Sequence, residues 1–356
     1  MKMTFRWFGT GFDSIPLANI RQIPGVTGVI TTLYDTQPGE LWSRERIRTL
    51  KDDVAGYGLE ISGIESVNVH DAIKAGLPER DKYIENYIKT LEILGEEKID
   101  LVCYNFMPVF DWTRSELAKK RPDGATVLSY DQEKIDAVDP AGMFERLDAA
   151  SNGFVLPGWE PERMARIKEL FDVYRDVDDD ALFINLKYFL SAIMPVCEKY
   201  GIKMAIHPDD PGWSVFGLPR IITSLDNFKR MIAMVPSPCN GITFCTGSLG
   251  SNPANNLPYM IHELKDRIYF AHVRNLVYNA PGKFDEAAHL SSDGSLDMFA
   301  IMKALYDIGF DGAIRPDHGR TIWGETGMPG YGLYDRALGI AYLNGLWEAL
   351  SKTYPR

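Results

Sequence analysis

Four side chains of metal-binding type fall at matching places along the chain. They are His207 in MAIHPDD, Cys245 in ITFCTGS, His272 in YFAHVRN and Asp317 in AIRPDHG. Each stands at or just after the end of a short apolar run that reads as a β-strand, and the four runs are consecutive. The intervals of 38, 27 and 45 residues leave room for a helix between neighbours, so the strand ends can meet at one mouth of a barrel. A single His or Cys at a strand end ordinarily serves structure. Four in a row point to a shared divalent metal. Two imidazoles, a thiolate and a carboxylate suit Zn2+ in a tetrahedral set, and also Mn2+ or Fe2+ with positions left open for substrate. The thiolate argues against Mg2+ and Ca2+.

Side-chain alternation along the same strands adds further candidates. Arg315 shares the side of Asp317 and Arg274 that of His272, while Asn275 lies in the following loop. Two guanidiniums near a metal suit an anionic substrate, since each can clasp a carboxylate through two N–H groups. His318 follows a proposed ligand directly, so it is expected at the rim, facing substrate as a general acid or base. The Gly-rich segment GRTIWGETGMPGYGLYDR comes next and can deliver a phenol from Tyr331 or Tyr334. Among the remaining histidines, His70 is placed to line the mouth and His262 to face solvent. His289 is left between reaching substrate and no role.

Eight strands are expected, over residues 4–8, 26–31, 59–65, 100–104, 203–207, 241–245, 268–273 and 312–317. Amphipathic helices are expected between them, the longest over residues 44–57, 82–96 and 182–200, with a last one over 334–350. Ser43, Ser224 and Ser295 read as helix starts, and Gly56, Gly201 and Gly309 as stops. Strands separated by helices of this length pair in parallel through right-handed crossovers, and eight units predict a (β/α)8 TIM barrel. An open dinucleotide-binding sheet is excluded, because the first turn, GTGFDS, lacks the third glycine of that fingerprint. The whole chain, 1–356, reads as one barrel domain. A segment of about 106–180 after the fourth strand is too long for a plain loop; it is expected to be a helical insertion acting as lid or oligomer contact. Its aromatic start, Phe106–Trp112, suggests a homo-oligomer, a dimer or tetramer. The run Asp178–Asp180 reads as a solvated helix start.

Composition excludes several classes. With 38 Lys and Arg against 49 Asp and Glu, the net charge of −11 disfavours nucleic acid as a partner. The four cysteines, at 103, 197, 239 and 245, contain no C-x-x-C pair, so neither a zinc ribbon nor a disulfide scaffold is indicated. Arg6 and Asp13 interrupt what would have to be an apolar leader. The longest apolar run, residues 188–197, is too short to span a bilayer. A cytoplasmic protein without a membrane partner is the expectation.

The segments CYNFMPVFDWTR, HPDDP, FCTGSLG, FAHVRN, RPDHGR and PGYGLYDRALG, in this order along the whole chain, resemble mannonate dehydratase. That resemblance implies a xylose-isomerase-like barrel that removes water from D-mannonate to give 2-keto-3-deoxy-D-gluconate in hexuronate breakdown. It implies His207, Cys245, His272 and Asp317 as ligands of a divalent metal. Mn2+ leads, Fe2+ is the second choice, and Zn2+ ranks below both. It also implies His318 with Tyr331, and Tyr334 in second place, as the acid and base. The substrate class is then a small anionic sugar acid. The alternatives are a metal-dependent sugar isomerase or epimerase on the same barrel, a repair nuclease, and a metal-storing scaffold.

Overall fold

The computed structural model describes residues 1–156 and 161–355. Twelve strands are found among them: β1 Lys2–Arg6, β2 Gly28–Thr31, β3 Glu60–Glu65, β4 Leu101–Tyr104, β5 Glu116–Lys120, β6 Thr126–Asp131, β7 Lys203–Ile206, β8 Asn240–Cys245, β9 Ile268–His272, β10 Leu276–Ala280, β11 Lys283–Glu286 and β12 Ala313–Arg315. Eight of them close a parallel barrel in the order β1-β12-β9-β8-β7-β4-β3-β2. These are the eight expected strands, with no end displaced by more than two residues, within the scale on which boundaries read from sequence err. Each is followed by an outer helix, from Leu17–Arg21 after β1 to Tyr334–Thr353 after β12.

Local chemistry explains where the helices begin and end. Asp178 accepts from the Ala181 N–H at 2.8 Å and caps Asp179–Tyr200, so the acidic run is a helix start. Gly201 closes that helix at φ 71°, a left-handed turn that glycine adopts without a Cβ clash. Asp297, rather than the expected Ser295, caps Met298–Asp307 through the Ala300 N–H at 2.9 Å. The helix Asp179–Tyr200 is long and apolar enough to cross a membrane. Here its apolar face is spent inside the chain, where Phe189 meets the rings of Tyr87, Tyr104 and Phe106 at 5.0–6.0 Å.

The insertion differs from the expected helical lid. It opens with the hairpin β5–β6, and helices Gln132–Asp136, Pro140–Ala149, Pro161–Met164 and Ile167–Val173 come only afterwards. Trp159 and Glu160 of its charged stretch lie outside the described residues. The loop after β9 supplies a second hairpin, β10–β11, and the two join as an antiparallel sheet, β10-β11-β6-β5. Phe284 pairs with Tyr130 across that join, ring on ring at 5.5 Å. Below the sheet Val109, Phe110, Trp112, Leu128, Phe284 and Tyr331 share a second core. The aromatic segment 106–112 is therefore consumed within the chain, and the ground for expecting an oligomer at that segment falls away.

Phe189 is fully buried at the junction of helix, barrel and insertion. Phe189→Ala is expected to lower unfolding free energy by about 3–5 kcal/mol, read as an unchanged slope and an earlier midpoint in urea. A loss under about 1 kcal/mol would show that this junction is loosely packed.

Candidate active site

Register brings the proposed ligands together. Cys245 at the end of β8 pairs with His272 at the end of β9, and His272 pairs with Arg315 of β12. His207 follows β7 directly. The donor atoms of His207, Cys245 and His272 lie within 4.8 Å of one another. Asp317 completes the group: its carboxylate is 3.5 Å from Cys245 Sγ and 3.7 Å from His272 Nδ1. The two imidazoles approach to 3.1 Å. Metal bonds of 2.0–2.3 Å in a tetrahedral set hold donors roughly 3.3–3.8 Å apart, so the residues present fit a divalent ion.

A second triple, Glu65, Cys103 and His272, lies beside it. Here burial and the Glu65 charge push the Cys103 thiol up, and the protonated thiol takes a hydrogen bond from Thr243 at 3.2 Å. Glu65 is held by Arg315 at 2.8 Å and faces His272 Nε2 at 3.5 Å. This triple therefore braces the His272 ring.

Around the ligands runs a buried lattice of charge. Arg274 donates to Asp317 at 2.6 Å, to Asp210 at 2.7 Å and to Glu286 at 3.2 Å. Arg114, from the insertion, clasps Asp210 with two N–H groups at 2.8 and 3.0 Å and meets Glu286 at 2.7 Å. Arg315 reaches Asp317 at 2.9 Å. Burial alone would raise the acids, but Arg315 leads the charges that hold Asp317 well below the usual carboxylate range. Beside Asp210 it is Arg114 and then Arg274 that win against burial. Glu286 is likewise brought down to about 2 against burial, by His318 and then the two arginines.

Asp317 itself adopts φ 62°. In that left-handed conformation strict alternation fails, so Asp317 and His318 both reach the mouth. The His318 Nδ1 lies 2.7 Å from Glu286 Oε1, and its Nε2 lies 2.9 Å from the Tyr331 hydroxyl. Burial pushes the Tyr331 phenol up, keeping it protonated. The Gly-rich loop is anchored beneath by Arg336, which donates to the carbonyls of Gly332 and Tyr331.

Two expected residues are not brought into the site. Tyr334 is 42% exposed and packs on Trp323, because it opens the outer helix and points away from the cavity. Asn275 spends its amide on the chain, donating to the Leu290 carbonyl and accepting from the Leu276 and Leu296 N–H groups. Arg274 is 1% exposed and does not line the cavity. His70 caps a short helix and stacks on Tyr83, His262 is exposed, and buried His289 donates to the Pro316 carbonyl at 2.7 Å. Sequence reasoning missed Glu286, Asp210 and Arg114. For Glu286 and Arg114 a signal existed, in the turn sequences RPDG and APG that mark the two hairpins.

A closed barrel of parallel strands, with four converging metal donors and a His–Tyr pair at the carboxyl-end mouth, defines a TIM-barrel enzyme built for a metal ion and a small polar ligand. Residues 1–356 match the family model D-mannonate dehydratase (UxuA), and the chain belongs to that family of hydro-lyases. It is 70% identical over 352 residues to a mannonate dehydratase of Brachyspira hyodysenteriae, covering 99% of both chains. The crystal structure of mannonate dehydratase from Streptococcus suis serotype 2 superposes with a TM-score of 0.90 at 44% identity, over 100% of this chain and 96% of that one. A xylose isomerase domain protein from Planctomyces limnophilus, at 12% identity and a TM-score of 0.53 over 99% and 98% of the two chains, shares the barrel alone.

Cys245→Ser replaces the soft donor while leaving the other three. The purified variant is expected to hold less than half the wild-type metal after dialysis, measured by elemental analysis. Full occupancy would remove Cys245 from the ligand set.

Proposed function

We propose that this chain removes water from D-mannonate to give 2-keto-3-deoxy-D-gluconate, and that it does so in the cytoplasm as a step of hexuronate breakdown. Membership of the D-mannonate dehydratase family supports the reaction. The observation that carries the mechanism is the line Glu286–His318–Tyr331 beside the metal donors. His207, Cys245, His272 and Asp317 would hold the metal; the donor chemistry alone suits Zn2+, and it is the family resemblance that puts Mn2+ first, ahead of Fe2+ and Zn2+. When bound, the metal supplies positive charge where the carboxylate and the C2 oxygen become electron-rich.

The remaining chemistry belongs to side chains. The proton on C2 is weakly acidic, and the C3 hydroxyl is a poor leaving group. With Nδ1–H given to the Glu286 carboxylate, His318 presents a lone pair on Nε2 and takes the C2 proton. The electron pair left behind forms the C2–C3 double bond as the C3–O bond breaks. Tyr331, kept protonated by burial, donates to the departing hydroxyl, which leaves as water. The imidazole then returns the proton to the phenolate across their 2.9 Å contact, and the enol gives up its C2 hydroxyl proton to solvent and takes one at C3 to become the ketone. Each positioned acid or base contributes ~10²–10⁴-fold. Glu286 selects the ring tautomer and supports the imidazolium that forms, as a carboxylate does for a catalytic histidine elsewhere.

D-Mannonate turnover with and without chelator, followed as keto-acid formation, tests the activity; metal-replete protein that yields none would refute it. His318→Asn is expected to keep wild-type metal content while turnover falls by ~10³-fold or more. Substantial activity in that variant would remove His318 from the chemistry. In Glu286→Gln the amide cannot support the imidazolium, so kcat should fall ~10²-fold with little change in KM. An unchanged kcat would leave Glu286 a purely structural group.

A further inference from the structure

Of the two guanidiniums that line the cavity, Arg6 and Arg315, the charge lattice leaves one out. Four carboxylates, Glu65, Asp210, Glu286 and Asp317, ring the site, and each is in contact with Arg114, Arg274 or Arg315. Arg274 is shut away from the cavity, and Arg315 divides itself between Glu65, Asp317 and His272. Arg274 is thereby closed to an anionic substrate, and Arg315, which does line the cavity, already has the two carboxylates of Glu65 and Asp317 in contact. Arg6, the last residue of β1, differs. It is 5% exposed and lines the same cavity as Tyr331, Arg315, Asp317 and His318. Among the described residues it forms no ion pair, and only its Nη1 is engaged, by the carbonyls of Trp7 and Ile30 at 3.4 and 3.3 Å. Its guanidinium lies over the Phe8 ring, 4.4 Å from the centroid.

We infer that Arg6 is the anchor for the carboxylate of the sugar-acid substrate. A guanidinium stays protonated in proteins, and stripping it of water without a counter-ion is unfavourable. An entering carboxylate ends that imbalance, through a paired N–H contact of the kind guanidinium makes best. The three other arginines already answer the carboxylates of the ring, Glu65 included, whose charge reaches Arg6 without an ion pair, so the cavity-facing cation favours a ligand with one negative group. Asp13, the nearby acid on the β1 loop, is occupied by the N–H groups of Phe8 and Ile15 and by the Arg336 charge. The same cavity is also lined by neutral hydrogen-bonding side chains, Ser66, Asn68 and Asn105, which suit the hydroxylated tail of an aldonate. Arg6 thus fixes which end of the substrate lies beside His318 and Tyr331. The identity of the acid rests on the dehydratase reading, whereas the preference for an acid over its neutral counterpart does not.

The test uses full-length, Mn2+-loaded protein in the His318→Asn background, so that substrate binds without being consumed. D-Mannonate and the neutral D-mannonamide, which share every hydroxyl, are titrated calorimetrically. The parent is expected to bind the acid at least about 10-fold tighter than the amide. Adding Arg6→Gln or Arg6→Met should weaken the acid by about 10- to 100-fold, the range for a charge-assisted contact, and leave the amide within about twofold. Arg6→Lys should restore part of the preference. Two isosteric replacements guard against one failing to fold, which far-UV circular dichroism checks. Undiminished preference for the acid, or equal weakening of both ligands, overturns the assignment. If wild-type protein does not convert D-mannonate, the dehydratase reading fails by itself. Thermal shifts with D-gluconate and D-gluconamide then decide Arg6: a preference for the acid that Arg6→Gln abolishes sustains it, and an absent or unaltered preference refutes it.

Discussion

One buried cation organises this molecule. Arg274 has almost no access to water, yet it holds Asp317, Glu286 and Asp210 at once. Those acids arrive from three places: the end of β12, the hairpin after β9 and the loop after β7. A guanidinium is the side chain able to do this, because its planar fork offers five donors in fixed directions. The space for it is made by Gly247, where a Cβ would lie 2.3 Å from the Arg274 Cζ. A proposed metal ligand, the carboxylate behind His318 and the partner of Arg114 therefore share one hub.

Buried charge is stable only when every member is answered, and that requirement explains the architecture above the barrel. A bare mouth would leave Glu286 and Asp210 in water, with ordinary acidity and loose geometry. The two hairpins roof the mouth and carry Glu286 and the approach to Arg114 into a dry interior. The insertion is thus part of the site's electrostatic frame, in addition to covering it. Its apolar core is continuous with Tyr331, so the phenol is set by packing and the imidazole by charge.

The barrel was legible because its strands are short apolar runs separated by strongly amphipathic helices, a local pattern that topology rules extend to a closed sheet. The convergence of the four candidate donors was legible for a related reason, as strand ends in a barrel are forced together. The roof was not. The strands ELAKK and KFDE are short and polar, and the pair that joins the two hairpins, Tyr130 of β6 and Phe284 of β11, is distant in sequence; only the hairpin turns left a local mark. Tyr334 was misplaced because the direction of a loop tyrosine depends on which residue opens the next helix. Arg274 and Arg315 were read as substrate clamps because residue type says nothing about whether a guanidinium's partners are already taken.

The left-handed backbone at Asp317 has a further consequence. Because Asp317 and His318 both face inward, the proposed metal ligand and the proposed base are joined by a single peptide link. Their Cα atoms are a fixed ~3.8 Å apart whatever the rest of the barrel does. Breathing of strands and hairpins can open or close the cavity without altering that spacing. The spacing between the proposed charge site and the proposed base is written into the covalent chain.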